Sequence, residues 1–467
     1  MAQSPAATEP ELTEDGAAAT TAEAPADASP GPAWVRPAAV ATLVSSVVGS
    51  AWLLSSYRQR SGSLDAALDS PHIAGALTLG LIAVMSLAVV MLRPERGALH
   101  ALVATSAVWS VALVVALVVA WAAVSRADRQ DAWHGVPVTT AADVDAYLAD
   151  YGPAGVSSVR IPTGVHVQSM EFLNGDNVQM AGYVWQRFGP DVPQDLLRGV
   201  VLPEAVEEAY ELTEAYRFEE NGVETIGWYF AAVLRQPFEY AEFPFDEQNA
   251  WLRIWDRDFS GDVVLVPDFA AYTSIAPASL PGVEEEFVYS GWTPMYSGFS
   301  YSNQPYQTSF GMGDANELNS PPELYFNLVL ERSFVGPFFE HFIFAIAAAC
   351  LLFGLLVLTT NDERLKSQFQ LTTSGVLGAA TGLLFAVILK HNQLRGGVSS
   401  RGVTYIEVIP IILYVLVVVV VLNAILLASP VNIRFIEHRN NMLPKLAYWP
   451  VLLGLVFAAT LAVLFRA

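Results

Sequence analysis

Apolar and polar positions are divided unevenly along the chain: three long apolar runs, a stretch of mixed polarity over residues 126–335, then four more apolar runs. A helix needs about 20 consecutive apolar residues to cross roughly 30 Å of hydrocarbon. Residues 37–57, 73–92, 99–124, 336–359, 371–389, 404–428 and 447–465 meet that requirement, which predicts seven crossings. The middle stretch reads differently. From about residue 156, short runs rich in Val, Tyr, Phe and Trp are separated by Gly, Pro, Asn and Asp, the signature of strands. Val165–Met170, Val178–Trp185 and Trp228–Leu234 are examples, and their spacing predicts an antiparallel β-sandwich. Pro203–Tyr216 has helical character and reads as a helix or as a loop across the sheet.

The expected architecture is therefore a mixed membrane protein, an extracytoplasmic β-sandwich with three helices before it and four after. Four regions follow from this: a tail (1–35), a three-helix membrane region (36–125), the β-sandwich (126–335) and a four-helix membrane region (336–467). The tail lacks the basic start and small-residue cleavage site of a signal peptide. Glu9, Glu11, Glu14, Asp15, Glu23 and Asp27 have no basic partner in it and little accompanies them that could be buried, so a solvated tether is expected. Basic residues in the short loops nearly balance, Arg58 and Arg60 after the first helix against Arg93 and Arg96 after the second. With the tail cytoplasmic, Arg364, Lys366, Arg434, Arg439 and Lys445 also fall inside, and the sandwich lies outside a plasma or inner membrane.

Charge and cysteine content narrow the partners. The formal net charge is −22 and lysine occurs only at 366, 390 and 445, which argues against nucleic acid and against a polybasic hold on anionic lipid. Cys350 is the sole cysteine, so no internal disulfide or cysteine-based metal cluster is possible. No nucleophile elbow, phosphate-cradling glycine loop or zinc-type His/Glu spacing is present, so neither an enzyme nor a cofactor is expected.

The hexapeptide Phe243-Pro244-Phe245-Asp246-Glu247-Gln248, followed by the alternating strand Ala250–Trp255, carries the most specific pattern. Pro244 fixes φ, the two phenyl rings can anchor a loop in apolar surroundings, and Asp246 can bind backbone or pair with a base. The hexapeptide resembles the Phe-Pro-Phe-Asp-x-Gln signature of the pentameric ligand-gated ion channels, the Cys-loop receptor superfamily. The two cysteines that close this loop in animal receptors are missing near Gln236 and Ala250, as in bacterial members. Other features follow the family's order. Trp185 ends a strand similar to one bordering the subunit interface, and Pro203 stands where a following loop has its proline. Gly291-Trp292 opens a hairpin whose tip, Phe299–Tyr306, is similar to the capping ligand loop. Leu324–Arg332 resembles the last strand, and Val403-Thr404-Tyr405-Ile406-Glu407 the start of the third channel helix.

The resemblance implies a homopentamer in which segment 371–389 lines a pore. At helical spacing, one face carries Gln370, Ser374, Leu377, Thr381, Leu384 and Ile388, polar at one end and apolar at the other, a filter followed by a hydrophobic gate. A second register places Gln368, Thr372, Val376, Ala379 and Leu383 there instead, and a packed helix whose hydroxyls bond to its own backbone is the plain alternative. Asp362 and Glu363 stand where the family keeps a selectivity ring, which implies cations, although Arg364 and Lys366 adjoin them. Coupling is expected through Phe243, Pro244, Phe245, Asp246 and Gln248, with Arg332 set against the linker Asn392–Arg401. Trp185, Trp228, Tyr229, Trp292, Tyr301 and Tyr306 are candidates for an aromatic ligand box, or for sandwich core. A non-conducting receptor or scaffold using the same module is the alternative function.

Asp256–Gly261 matches half of a calcium loop, but position twelve is Pro267, so a solvated turn is the plainer reading. Glu340 and His341 near a helix start form a proton-sensitive pair or simply snorkel to the interface. The first three helices are absent from the family's usual members.

Overall fold

The computed structural model describes residues 34–60, 71–125, 133–151, 159–258, 263–304, 306, 308, 322–360, 372–398, 402–430, 433, 436 and 439–465. Three helices come first: α1 (Val35–Arg60), α2 (Pro71–Leu92) and α3 (Leu99–Val124). A short helix, α4 (Ala141–Tyr151), lies among the strands. Four helices follow them: α5 (Val335–Leu358, with a π-turn at Phe338–Phe342), α6 (Thr373–Gly397), α7 (Tyr405–Ala428) and α8 (Met442–Leu464).

Among the described residues, six helices are long and apolar enough to cross a membrane: α2 from Ala74, α3, α5, α6, α7 and α8. The chain is thus built as a multi-pass membrane protein. Many of their large apolar side chains face outward, Val111, Val115 and Val118 on α3 and Val415, Val418 and Leu422 on α7 among them. That arrangement suits hydrocarbon, because the helices satisfy their own backbone groups. The seventh expected crossing, 37–57, coincides with α1, which has full spanning length but is not one of the six. Helix α1 packs on α2, α2 on α3, α3 on α8, and α8 on α7 and α5, while α6 packs on α5 and α7. The first three helices therefore stack outside α8.

The region between α3 and α5 forms two five-stranded sheets. One has the order β1 (Val136–Val138), β9 (Trp292–Ser302), β10 (Glu323–Arg332), β7 (Glu247–Asp256) and β4 (Val200–Val201). The other has the order β5 (Ala205–Glu220), β6 (Val223–Arg235), β3 (Asn177–Phe188), β2 (Val159–Asn174) and β8 (Val263–Pro267). Among these strands β2 and β8 pair in parallel and the other pairs are antiparallel. Alternate residues of β2, β3, β6, β7 and β10 meet between the sheets, with Ile161, Val165, Phe230, Leu252 and Leu328 fully enclosed. Burying such a layer is the main driving force for the domain, at about 25 cal/mol per Å² of apolar surface.

The structure corrects one segment. Residues 203–216, expected as a helix or loop, form most of the long edge strand β5, whose Leu212 and Thr213 pair with Phe230 and Tyr229. The Ala- and Glu-rich sequence favours helix locally, but pairing with β6 overrides it. Strand β9 also extends to Ser302, so Phe299–Ser302 belong to the strand rather than to a hairpin tip.

Candidate functional site

The 243–248 loop is seated where the sheets meet the helices. Tyr240, Phe243 and Phe245 are buried in one apolar cluster with Phe342 of α5, Leu394 of α6, Tyr405 and Ile409 of α7, and Leu464 of α8. Phe245 stacks on Phe334 with ring centroids 5.0 Å apart. The Tyr405 N–H, at the first turn of α7, donates to the Ala241 carbonyl at 2.8 Å. The Phe243–Pro244 peptide is cis. Local sequence explains the anchoring: apolar rings alternate with the polar residues that brace the loop from behind.

That brace centres on Asp246, which is 2% exposed. Arg332, at the end of β10, grips it in a fork, Nε to Oδ1 at 2.7 Å and Nη2 to Oδ2 at 2.9 Å. Gln248 donates from Nε2 to Asp246 Oδ2 at 2.8 Å and to the Glu239 carbonyl at 2.6 Å. The Arg332 guanidinium lies 4.1 Å above the Trp292 ring and 4.7 Å from that of Phe243. A bidentate pair flanked by rings is stronger than an exposed ion pair, because both charges are shielded from water and the fork fixes their geometry. Burial pushes the nearby Tyr240 hydroxyl up to about 12. The expected coupling residues are thus brought together, with one correction. Arg332 pairs with Asp246 rather than with the linker, and Asn392–Gly397 continue α6 as helix. Leu394 and Val398 reach the loop through the shared cluster instead.

Sequence reasoning missed a participant in this junction. Trp121, near the end of α3, packs its ring on Phe342 (5.0 Å), Phe334 (6.1 Å) and Phe245 (6.2 Å). Its indole N–H donates to the Tyr405 hydroxyl at 2.7 Å, and that hydroxyl also lies 2.9 Å from Thr460 Oγ1. Helix α3 is thereby tied to α7 and α8 at the level of the 243–248 loop.

The six aromatics proposed as a ligand box are not gathered within the chain. Trp228 and Tyr301 are sandwich core, 7% and 0% exposed, and the Tyr301 hydroxyl donates to the Leu265 carbonyl at 2.7 Å. Trp185 donates to Asp268, and Tyr229 packs on Tyr183. Trp292 belongs to the Arg332 brace. The physical reason is the pleat: alternate aromatics on strands of opposite sheets either meet in the core or point away from each other.

Tyr306 joins a further polar constellation, on the outer side of β7 and β10 where the segment after β9 begins. Glu323, 6% exposed, accepts hydrogen bonds from Trp255 Nε1 at 2.7 Å, Tyr325 Oη at 2.9 Å and the Tyr306 hydroxyl. Arg253 bridges Glu323 and Glu204 and receives the Trp255 ring at 5.1 Å. Burial raises the Glu204 carboxyl against the pull of Arg253, and burial together with Arg253 lowers the His134 imidazole. His134 stacks on Trp251 at 4.8 Å. The clue in sequence was Trp251-Leu252-Arg253-Ile254-Trp255, whose odd positions share one face of β7.

Helix α6 presents two distinct faces. Val376, Ala380, Val387 and Leu394 are buried within the chain. Ser374, Leu377, Thr381 and Ile388 are exposed, and Leu384 is half-buried. Of the second register, Val376 is 3% exposed against its own chain, while Thr372 caps the helix by accepting from the Gly375 N–H. Gln368, Gln370, Asp362 and Glu363 lie outside the described residues.

Asp256 turns inward, accepting from the Asp258 N–H at 2.7 Å and from Gln186 at 3.4 Å, and burial pushes its carboxyl up to about 6. Asp256 itself thus faces the fold while Arg257 is exposed, and residues 259–262 of that loop lie outside the described residues. Glu340 pairs with Lys390 at 3.0 Å, and His341 lies 3.8 Å from the same carboxylate. No protein-family model matches the chain, and no curated protein matches it.

Proposed function

We propose that the chain is a subunit of a ligand-gated ion channel of the pentameric type it resembles, its extracytoplasmic sandwich sensing a ligand and its α6 lining the pore. The observation that carries this reading is the seating of the 243–248 loop on α5, α6, α7 and α8 at once, with Arg332 locking it to β10. A displacement of β7 or β10 is transmitted through that brace to the ends of four membrane helices. The Arg253–Glu323–Tyr306 constellation lies on the same two strands and forms the sensing face. Two carboxylates around one guanidinium favour a ligand carrying positive charge.

The exposed face of α6 supports the pore assignment. Ser374 lies on the exposed face of this membrane-length helix, where water suits it, Thr381 on the same face donates to the Leu377 carbonyl at 2.8 Å, and Leu377, Leu384 and Ile388 make an apolar constriction that gates by dewetting. Asp362 and Glu363, with the acidic balance of the chain, favour cations. The test is current recorded from the purified chain in planar bilayers, beside Leu377→Thr. A polar gate residue is expected to lower the wetting barrier and increase current. If neither protein conducts and native mass spectrometry finds no pentamer, the channel reading falls, and conduction-free pentamers would point to a receptor or scaffold.

A further inference from the structure

Between α7 and α8, bordered by the end of α5, lies a cavity of about 350 Å³. Leu416, Val420 and Tyr448 form its buried wall, and Val419 and Leu422, each about half exposed, flank its mouth on the outer surface of α7. The Tyr448 hydroxyl is engaged, donating to the Ala349 carbonyl at 2.8 Å. The other polar side chain of the lining is Asn423. It is 7% exposed, and its Nδ2 has no hydrogen-bond partner among the described residues.

A buried amide without a partner is costly, and the surroundings restrict what can satisfy it. Ordered water needs two to four polar neighbours, whereas apolar cavities of this kind stay dry and take apolar guests. The volume is at the lower end of the roughly 300–1,000 Å³ typical of small-molecule sites. Asn423 follows Tyr405, the first residue of α7, by 18 positions, roughly 27 Å along the helix at 1.5 Å per residue. That places it within two turns of the end of α7 remote from the sheets, near the depth where acyl ester carbonyls border the hydrocarbon.

We propose that this cavity binds one acyl chain of a membrane lipid, the ester carbonyl accepting a hydrogen bond from Asn423 Nδ2. The chain enters between Val419 and Leu422 and lies against Leu416 and Val420. The assignment needs only the membrane placement of α7 and α8 and is independent of conduction.

The test uses the full chain in lipid nanodiscs, with a phosphatidylcholine bearing a diazirine in one acyl chain as probe and peptide mapping as readout. Adducts are expected to concentrate on α7 and α8 around Asn423. Val419→Trp, at the exposed mouth where it leaves the fold undisturbed, should reduce them at least severalfold. Asn423→Leu should reduce labelling by about three- to tenfold, the worth of one hydrogen bond to a buried donor. The ether-linked analogue, which has no carbonyl, should label wild type and Asn423→Leu alike, which also confirms that the variant is folded. Adducts spread evenly over the outer faces, insensitive to Val419→Trp, would overturn the site. Ester and ether probes responding identically to Asn423→Leu would overturn the role of the amide. Labelling by the free acyl methyl ester but not by the phospholipid would overturn the membrane lipid as its source.

Discussion

Arg332 and Asp246 invite a double-mutant cycle, because each holds the other in a place from which water is nearly excluded. Asp246→Ala leaves the guanidinium between Trp292 and Phe243 without its carboxylate, but the Arg332 side chain keeps 17% of its exposure and can recover some hydration. Removing one partner of a buried pair costs about 3–5 kcal/mol, and this site belongs at about 3. Arg332→Ala should cost more, about 4–5 kcal/mol. It strands a carboxylate that is 2% exposed with Gln248 as its remaining side-chain donor at 2.8 Å, and it forfeits ring contacts worth about 1 kcal/mol. The double variant strands neither charge, so it should cost less than Arg332→Ala alone, a coupling of more than about 3 kcal/mol. Arg332→Lys keeps the charge but loses the fork, and should cost about 1–2 kcal/mol. The assay is guanidinium unfolding of the detergent-solubilised full chain followed by tryptophan emission, to which Trp292 contributes directly. Strictly additive single costs, with coupling below about 0.5 kcal/mol, would refute the claim that the two side chains act as one unit.

Asp256→Asn should stabilise the chain at pH 8 by about 2 kcal/mol and leave it unchanged at pH 4, measured by melting across that range. Its folded carboxyl is pushed up to about 6 from 3.8, so its favourable contribution is complete below about pH 4 and is lost as pH rises through 6. Trp121→Phe removes the donor to Tyr405 and part of the ring contact, and should lower stability by about 1–2 kcal/mol while leaving assembly intact, read by melting and native mass spectrometry. If the first three helices act through this contact, the same variant should also shift the ligand concentration for half-maximal current.

What the sequence revealed and what it hid follow from range. The hexapeptide could be read because its work is local: ring, proline, ring and carboxylate occupy a single turn, and the apolar spans depend on length alone. Strand β5 was misread because its Ala, Glu and Leu favour helix while the partner that holds it extended, β6, supplies the deciding hydrogen bonds. The aromatic box failed for a related reason. Trp228 and Tyr301 are attractive as ligand rings in composition, yet the pleat turns both into the core. The Arg253 constellation was missed since it exists only through register: β7 and β10 set Arg253 opposite Tyr325, bringing Glu323 within reach of Trp255. Nothing in local spacing announces that pairing.

Trp121 shows the same limit with a larger consequence. A tryptophan near the end of an apolar helix ordinarily reads as an interfacial anchor, content with one face in lipid and an N–H in the headgroups. Here the ring is turned away from that role, toward Phe245, Phe334 and Phe342, and its N–H is spent on Tyr405. Val124, one turn on, is buried in the same cluster. Meanwhile the rest of α3 packs on α8, with the Ser106 hydroxyl donating to the Leu446 carbonyl at 2.5 Å. Helix α3 thus holds α8 along its length and meets the 243–248 loop at its tip. Any tilt of α3 would have to repack the rings that connect that loop to α5 and α7. Helix α3 is therefore mechanically part of the junction, with α2 and α1 packed in turn behind it.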